Sequence, residues 1–310
     1  MKTAFLFSGQ GAQYTGMGQA FYDTEALMKE TVDQASEILG YDMAALCFDE
    51  ANQEKLNQTE FTQPAILTVS VGMLRILEKQ GIAADALAGL SLGEYSALVA
   101  SGALAFADAV ALVAKRGAYM ATAAPKGTGK MVAVMNAEPA VIEACCQEAA
   151  TVGIVAPANY NTPQQIVIGG EIAAVDQAVA LLKEAGVKRM IELNVSGPFH
   201  TALLKPAAEK LQTALLDVDF QEMKIPVVSN TTANVMMQDQ IKTLLEQQVM
   251  SPVRFYDSIA TLKDLGVGRV IEIGPGKTLS GFMKKIDKTI AVTRVEDPAT
   301  LAETIASVTA

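Results

Sequence analysis

The sequence predicts an α/β fold, a parallel sheet covered by helices, with a smaller unit inserted into it. Three observations point there. Short apolar runs alternate with longer helical stretches at both ends of the chain. The segment 127–196 between them changes to a different rhythm of strands and helices. Finally, Gly89-Leu90-Ser91-Leu92-Gly93 fits the G-x-S-x-G nucleophile elbow, set between a strand and a helix as in α/β-hydrolase-like sheets.

Thr3–Ser8 alternates poorly and reads as a buried strand ending in the loop Gly9-Gln10-Gly11-Ala12-Gln13. A helix is expected over Gly18–Leu39, with Ala26, Leu27 and Ile38 on its buried side. Thr62-Gln63-Pro64 reads as the start of the next helix, with proline in its first turn, and Ala65–Lys79 continues it. Ala86–Leu90 is a short strand leading into the elbow. Glu94–Val99 opens one helix and about Ala107 to Met120 forms another. The stretch Ala97–Ala114 is apolar except for Ser101 and Asp108, but Gly102 and Phe106-Ala107-Asp108 break it and alanine dominates. Two helices packed inside a globule explain it better than a bilayer.

Pro125-Lys126-Gly127-Thr128-Gly129 is the clearest hinge. Beyond it Met131–Asn136 is a strand and Ala140–Ala150 a helix. Ile154–Asn159 and Gln165–Gly169 are strands around Asn161-Thr162-Pro163, Ala173–Ala185 is a helix, and Lys188–Asn194 a strand. That β-α-β-β-α-β order is ferredoxin-like. The expected division is therefore 1–126 with 197–310 as the large unit, and 127–196 as the insertion. The first rhythm then resumes, with a helix from about Thr201 to Leu216 and a strand at Pro226–Ser229. Helices near Gln238–Val249 and Phe255–Leu265 and a strand at Arg269–Ile273 follow, then Gly274-Pro275-Gly276 and a helix to Ile286. No internal repeat or low-complexity tract interrupts this order.

The chain has 310 residues, half of them hydrophobic, with no tryptophan and a formal net charge of −10. That charge argues against nucleic acid or an anionic membrane as the main partner. Cys47, Cys145 and Cys146 have no metal-ligand spacing, and two are adjacent, so a disulfide framework is not expected and the cytoplasm is the natural compartment. Met1-Lys2-Thr3 leads into only a short apolar run, which is no secretory signal.

The elbow carries the chemistry. Glycine two places either side of a serine lets a tight turn close where a Cβ would clash, and the strained serine presents its hydroxyl to solvent. The N–H of Leu92 then points to where an oxyanion would form on an acyl group at Ser91, and the following helix adds its positive end. A serine nucleophile needs a base. His200, in Ser196-Gly197-Pro198-Phe199-His200, is the only histidine. No acid between Ser91 and His200 stands out as the orienting carboxylate, and a backbone carbonyl could do that work instead. Gly9-Gln10-Gly11 lacks the third glycine of a dinucleotide loop at its required place, and is better suited to supply a second oxyanion N–H from Gln10. Gly276-Lys277-Thr278 imitates the end of a P-loop, but Ile271 stands where the first glycine should be. Arg116, beside Lys115 in an apolar helix, is either half of a solvated basic pair or, if buried, a bidentate clamp for a substrate carboxylate.

Taken in order, Phe7–Gln13, Gln63-Pro64-Ala65, Gly89–Tyr95, Lys115-Arg116-Gly117, Phe199-His200 and Ile273–Lys277 closely resemble the malonyl-CoA:acyl carrier protein transacylases of bacterial fatty-acid synthesis. The resemblance covers essentially the whole chain. It implies a ping-pong transfer through a malonyl-serine at Ser91, with His200 as base and no cofactor or metal. Gln10 and Leu92 would form the oxyanion hole. Arg116 would pair with the malonyl carboxylate, Gln63 would help order the pocket, and Met120 and Phe199 would line it, Phe199 disfavouring a branched acyl unit. A main-chain carbonyl, that of Gln248, would orient the imidazole. Malonyl-CoA and acyl carrier protein are the implied partners, the acidic carrier docking on Lys188-Arg189 and Lys284-Lys285. A discrete acyltransferase serving a polyketide synthase or malonate decarboxylase, or a serine thioesterase, would share these motifs. One departure is plain: the family usually has His before the nucleophile, and this chain has Leu90.

Overall fold

The computed structural model describes residues 1–125, 127–195 and 197–309. Lys126 in the expected hinge and Ser196 before His200, at the two expected junctions of the insertion, lie outside the described residues.

The first sheet is four-stranded and all parallel. Its strands are β1 (Lys2–Phe7), β2 (Ala86–Gly89) and two from the end of the chain, in the order β2, β1, Val267–Ile273, Ala291–Val295. β1 alternates poorly because both its faces are buried. Phe5 and Phe7 pack into one core with the helices Thr59–Lys79 and Phe106–Ala123, while Ala4 and Leu6 pack into another with Phe255, Ile259 and Leu279. A strand buried on both faces loses the period-two signal of a half-exposed one.

The second sheet is built from β3 (Gly129–Met135), β4 (Val155–Thr162), β5 (Gln165–Glu171) and β6 (Arg189–Glu192), in the antiparallel order β4-β5-β3-β6. With the helices Pro139–Ala149 and Ile172–Glu184 between strands, this is the ferredoxin-like arrangement the sequence predicts. Val132, Val134, Ile166 and Ile168 face those helices. Met131, Ala133 and Val167 turn the other way and join the core of the first unit.

Several boundaries differ from the expectation. The helix predicted over 18–39 is two, Gln19–Tyr22 and Ala26–Leu39, separated by Asp23–Glu25. The helix expected to start at Thr62 starts at Thr59, so Pro64 lies inside it. Proline there forfeits one N–H bond, and Thr68 Oγ1 donates to the Pro64 carbonyl at 2.7 Å. The strand expected at Pro226–Ser229 makes only a parallel bridge, Leu87 to Val227, before the chain turns back on itself through Val228 and Val235. β4 runs on to Thr162 through two irregularities in its pairing, so Asn161 is a strand residue and not part of the turn. The last strand, Ala291–Val295, and the helix Pro298–Thr309 have no counterpart in the expectation.

Candidate active site

β2 ends at Gly89 and the helix Gly93–Ala100 begins four residues later. The glycines are required by contact with backbone. A Cβ on Gly89 would sit 2.0 Å from the Gly93 carbonyl carbon, and one on Gly93 would sit 2.1 Å from the Phe7 carbonyl oxygen. Between them Ser91 is held at φ 53°, in the left-handed region that non-glycine residues rarely enter.

Ser91 Oγ lies 2.8 Å from His200 Nε2. The other ring nitrogen, Nδ1, lies 2.8 Å from the Gln248 carbonyl oxygen. A carbonyl only accepts, so Nδ1 carries the proton and Nε2 is left to accept from the serine hydroxyl. His200 is buried, and burial together with the Arg116 charge pushes its pKa down to about 4. The imidazole is therefore neutral at physiological pH, as a general base must be.

Arg116 lies on the helix Phe106–Ala123 and is only 1% exposed. Its Nη1 donates to Gln63 Oε1 at 2.6 Å, and its Nη2 to Gln248 Oε1 at 3.0 Å and Ser91 Oγ at 3.3 Å. The Tyr95 ring lies 5.4 Å from the guanidinium carbon. No carboxylate among the described residues makes an ion pair with it. The buried Glu94 carboxyl and Tyr95 act on this cation electrostatically without an ion pair, so a guanidinium on the wall of the cleft keeps capacity for an anion.

Two backbone donors flank the serine. The N–H groups of Gln10 and Leu92 have no hydrogen-bond partner among the described residues. The Gln10 loop passes so close to the elbow that a Cβ on Gly9 would lie 2.2 Å from the Leu90 carbonyl oxygen. Gln10 Nε2 donates to Thr59 Oγ1 at 3.0 Å, tying that loop to the helix that carries Gln63.

These groups open into a cleft of about 1200 Å³ between the two sheets. Gln10, Ser91, Arg116, Met120, Phe199 and His200 line it, as does Leu90. Gln63, Leu92 and Gln248 are buried behind the wall, so Gln63 holds Arg116 in place and does not face the open space. The opposite wall comes from the second sheet. Asn159, Asn161 and Gln165 face the cleft, and the Asn161 amide donates to Gln165 Oε1 at 2.8 Å. Sequence reasoning misses these three, although a cluster of amides on a strand pair is a visible signal. It also misses Asn230, whose side chain bonds to the Ser91 N–H.

The two basic pairs part company. Lys284 and Lys285 are exposed on the last turn of the helix Thr278–Ile286, whose Thr278, Leu279 and Phe282 line the cleft. Lys188 and Arg189 are exposed at the far end of the second sheet, where Arg189 pairs with Met135 beside a separate hollow of about 420 Å³. Cys47, Cys145 and Cys146 are buried and free, and burial pushes the Cys47 and Cys146 thiols up to about 12. Among the described residues no helix is long and apolar enough to cross a membrane.

Comparison with known proteins gives the family and the fold of the chain. A family model described as an acyl transferase domain matches residues 4–303. Malonyl CoA-acyl carrier protein transacylase of Bacillus subtilis (strain 168) is 46% identical over 302 residues, 97% of this chain and 95% of the relative. The crystal structure of MCAT from Streptococcus pneumoniae superposes with a TM-score of 0.96 at 59% identity, covering 99% of this chain and 100% of that one. A malonyl-transacylase solved in complex with its type II PKS acyl-carrier protein superposes with a TM-score of 0.95 at 39% identity, covering 99% of this chain and 100% of that one. The elbow, the histidine and the buried arginine thus sit in a chain that, over nearly its full length, belongs to the acyl transferase family and within it to the malonyl CoA-acyl carrier protein transacylases.

Proposed function

We propose that this enzyme moves the malonyl group of malonyl-CoA to the phosphopantetheine thiol of an acyl carrier protein, through a malonyl ester on Ser91. In the first half-reaction Ser91 Oγ attacks the thioester carbonyl and His200 Nε2 takes the hydroxyl proton. The oxyanion is received by the N–H groups of Gln10 and Leu92. The carbon–sulfur bond then breaks, and the proton on His200 goes to the departing coenzyme A thiolate. In the second half the carrier thiol gives its proton to the same nitrogen and attacks the ester, and Ser91 leaves with that proton. Arg116 pairs with the free carboxylate of the malonyl group and fixes the acyl unit over the serine.

The observation that carries this reading is the buried Arg116, which makes no ion pair among the described residues and lies 3.3 Å from Ser91 Oγ. An acyl unit bearing its own carboxylate fills that site, and a plain acetyl group leaves it empty. Met120 and Phe199 on the cleft wall bound the space beside the acyl carbon and disfavour a branch there. The division into 1–126 with 197–310 and 127–196 fits the two sheets, and the cytoplasm is the compartment in which three free cysteines stay reduced.

Intact mass after brief mixing with malonyl-CoA tests the whole scheme. The expected result is a malonyl adduct that disappears in Ser91→Ala, weakens in Arg116→Ala, exceeds any acetyl adduct and leaves when carrier protein is added. Free malonate without transfer would make the protein a thioesterase. The likeness to a transacylase bound to a polyketide carrier favours a second reading in which that class of carrier is the acceptor. Presenting both carrier classes at equal concentration separates the two.

A further inference from the structure

The segment beyond Lys224 runs alongside β2 but makes only the beginning of a parallel ladder. Leu87 N–H donates to the Pro226 carbonyl at 2.9 Å, and the Leu87 carbonyl accepts from Val228 N–H at 2.8 Å. In a parallel pair the next two bonds would run from the Gly89 N–H to the Val228 carbonyl and from the N–H of residue 230 to the Gly89 carbonyl, and neither forms among the described residues. The structure puts a side chain there instead. Asn230 Nδ2 donates to the Gly89 carbonyl at 2.7 Å, and Asn230 Oδ1 accepts from Ser91 N–H at 2.6 Å. The carboxamide thus takes over the edge that a neighbouring peptide would occupy, just where the strand bends into the elbow.

Asn230 is itself fixed. It is fully buried, its backbone N–H donates to Glu94 Oε2 at 2.5 Å, and its carbonyl accepts from Arg254 N–H at 2.9 Å. Glu94 is also fully buried, on the first turn of the helix that follows the elbow. The elbow is therefore clipped at two successive peptides. Asn230 holds the one before Ser91 through its N–H, and Gln248 Nε2 holds the one after it by donating to the Ser91 carbonyl at 3.0 Å. In a planar trans peptide, N–H and C=O point opposite ways. Tying the Ser91 carbonyl to Gln248 therefore turns the Leu92 N–H to the opposite side of that peptide, where it meets no partner among the described residues.

We propose that Asn230 is a positioning residue for the nucleophile, its carboxamide continuing the β2 ladder across the bend so that Ser91 keeps its left-handed backbone and the Leu92 N–H stays free of protein partners. Glu94 anchors Asn230 and touches no reacting atom. A left-handed serine is intrinsically disfavoured, so without the clip the peptide before it is free to rotate and the hydroxyl leaves the line to His200. Removing the clip also leaves Ser91 N–H and the Gly89 carbonyl without their partner.

The proposal rests on Ser91 being the nucleophile, and its test must separate that premise from the role of Asn230. A fluorophosphonate does so. Ser91 Oγ bonds to phosphorus, fluoride departs with the P–F bond, and the hydroxyl proton goes to His200, with no malonyl group involved. Asn230→Ala should slow phosphonylation by about 30- to 100-fold, and lower kcat for malonyl transfer by a similar factor. KM for malonyl-CoA should stay within about threefold, because Arg116 is held by Gln63 and Gln248 and not by Asn230. Asn230→Asp keeps the volume and the acceptor for Ser91 N–H but sets an oxygen against the Gly89 carbonyl, so its loss should be intermediate. Should the alanine variant fail to fold, the rates of the aspartate variant decide the question. Wild-type phosphonylation rates in the variants, or a loss appearing wholly in KM, would overturn the positioning role. A wild-type chain that is phosphonylated on Ser91 yet forms no malonyl ester would instead overturn the function proposed above, leaving the rate comparison for Asn230 intact.

Discussion

The two sheets face the same cleft and serve it in opposite ways. The first presents strand ends. β1 and β2 are buried along both faces, and what they deliver is backbone: the Gln10 loop from one and the elbow from the other. The second presents a face. Its helices cover one side, and the other side, where Met131, Ala133 and Val167 meet the core of the first unit, also sets the amides of Asn159, Asn161 and Gln165 against the cleft. Strand ends in a fully buried sheet hold backbone donors to fractions of an ångström, which suits bond making. A half-covered face offers side chains that can adjust, which suits holding a long flexible substrate.

The largest expected effect tests that contrast directly. Ser91→Ala and His200→Ala should each lower kcat by about 10⁴-fold or more. Asn161→Ala, on the other wall, should lower kcat/KM by no more than about tenfold, and mainly through KM. Steady-state kinetics with malonyl-CoA and carrier protein read both. A kcat loss in Asn161→Ala as deep as that in His200→Ala would erase the distinction between the walls.

What the sequence reveals follows the same line. The elbow is legible because its steric demand is written in residue types: only glycine fits where a Cβ would lie about 2 Å from backbone. His200 is legible because it has no competitor. The ferredoxin-like insertion is legible from the order of its apolar runs and helices after the Pro- and Gly-rich stretch 125–129, and not from alternation, because β3 and β5 are buried on both faces. The Gln248 carbonyl is not, since any residue carries a carbonyl and only the fold aims it; the resemblance supplied that residue. Asn230 is illegible for a related reason. A short amide after the apolar run Pro226–Val228 looks like the turn residue that it also is. The last strand, Ala291–Val295, is short and mostly half-buried, so its pattern is faint before tertiary packing defines it.

Stability gives the next test. Gly93→Ala drives a Cβ into the Phe7 carbonyl oxygen, a backbone atom of β1 that cannot step aside. The expected cost is about 3 kcal/mol or more, visible as a drop of several degrees in Tm. In the second unit Gly186 has φ 88° and open space around it, so Gly186→Ala meets only the backbone penalty of about 1 kcal/mol. Equal losses in denaturant titrations would mean that the close approach of elbow and β1 is not a special constraint.

A smaller effect comes from the buried acid and base. His200 is pushed down to about 4 from an ordinary 6.5, so the acid limb of kcat/KM should fall near pH 4 and not near 6.5. For stability the sign follows from which state binds the proton. As pH falls below 6.5 the unfolded chain protonates its histidine while the fold refuses, so this group costs stability progressively down to about pH 4. Glu94 works the other way. Burial raises it to about 7 from 4.5, so the fold keeps a proton that the unfolded chain releases, and stability rises as pH falls through that window. His200→Ala removes the first term only, and should gain stability relative to wild type as pH drops from 6.5 to 4. A constant difference across that range would show that the imidazole is not held neutral by the fold.

The smallest expected effect concerns the rim. Lys284 and Lys285 end a helix whose earlier residues line the cleft, whereas Lys188 and Arg189 stand at the far end of the second sheet. An acidic carrier that brings a thiol to Ser91 must approach the cleft mouth, and charges within a Debye length of that path attract it most. Reversing Lys284 and Lys285 to glutamate should raise KM for the carrier several-fold, more so at low salt, and leave KM for malonyl-CoA unchanged. The same reversal at Lys188 and Arg189 should do less. If the distant pair proves the stronger, the carrier crosses the second sheet on its way in, and the half-covered sheet is a docking surface as well as a wall.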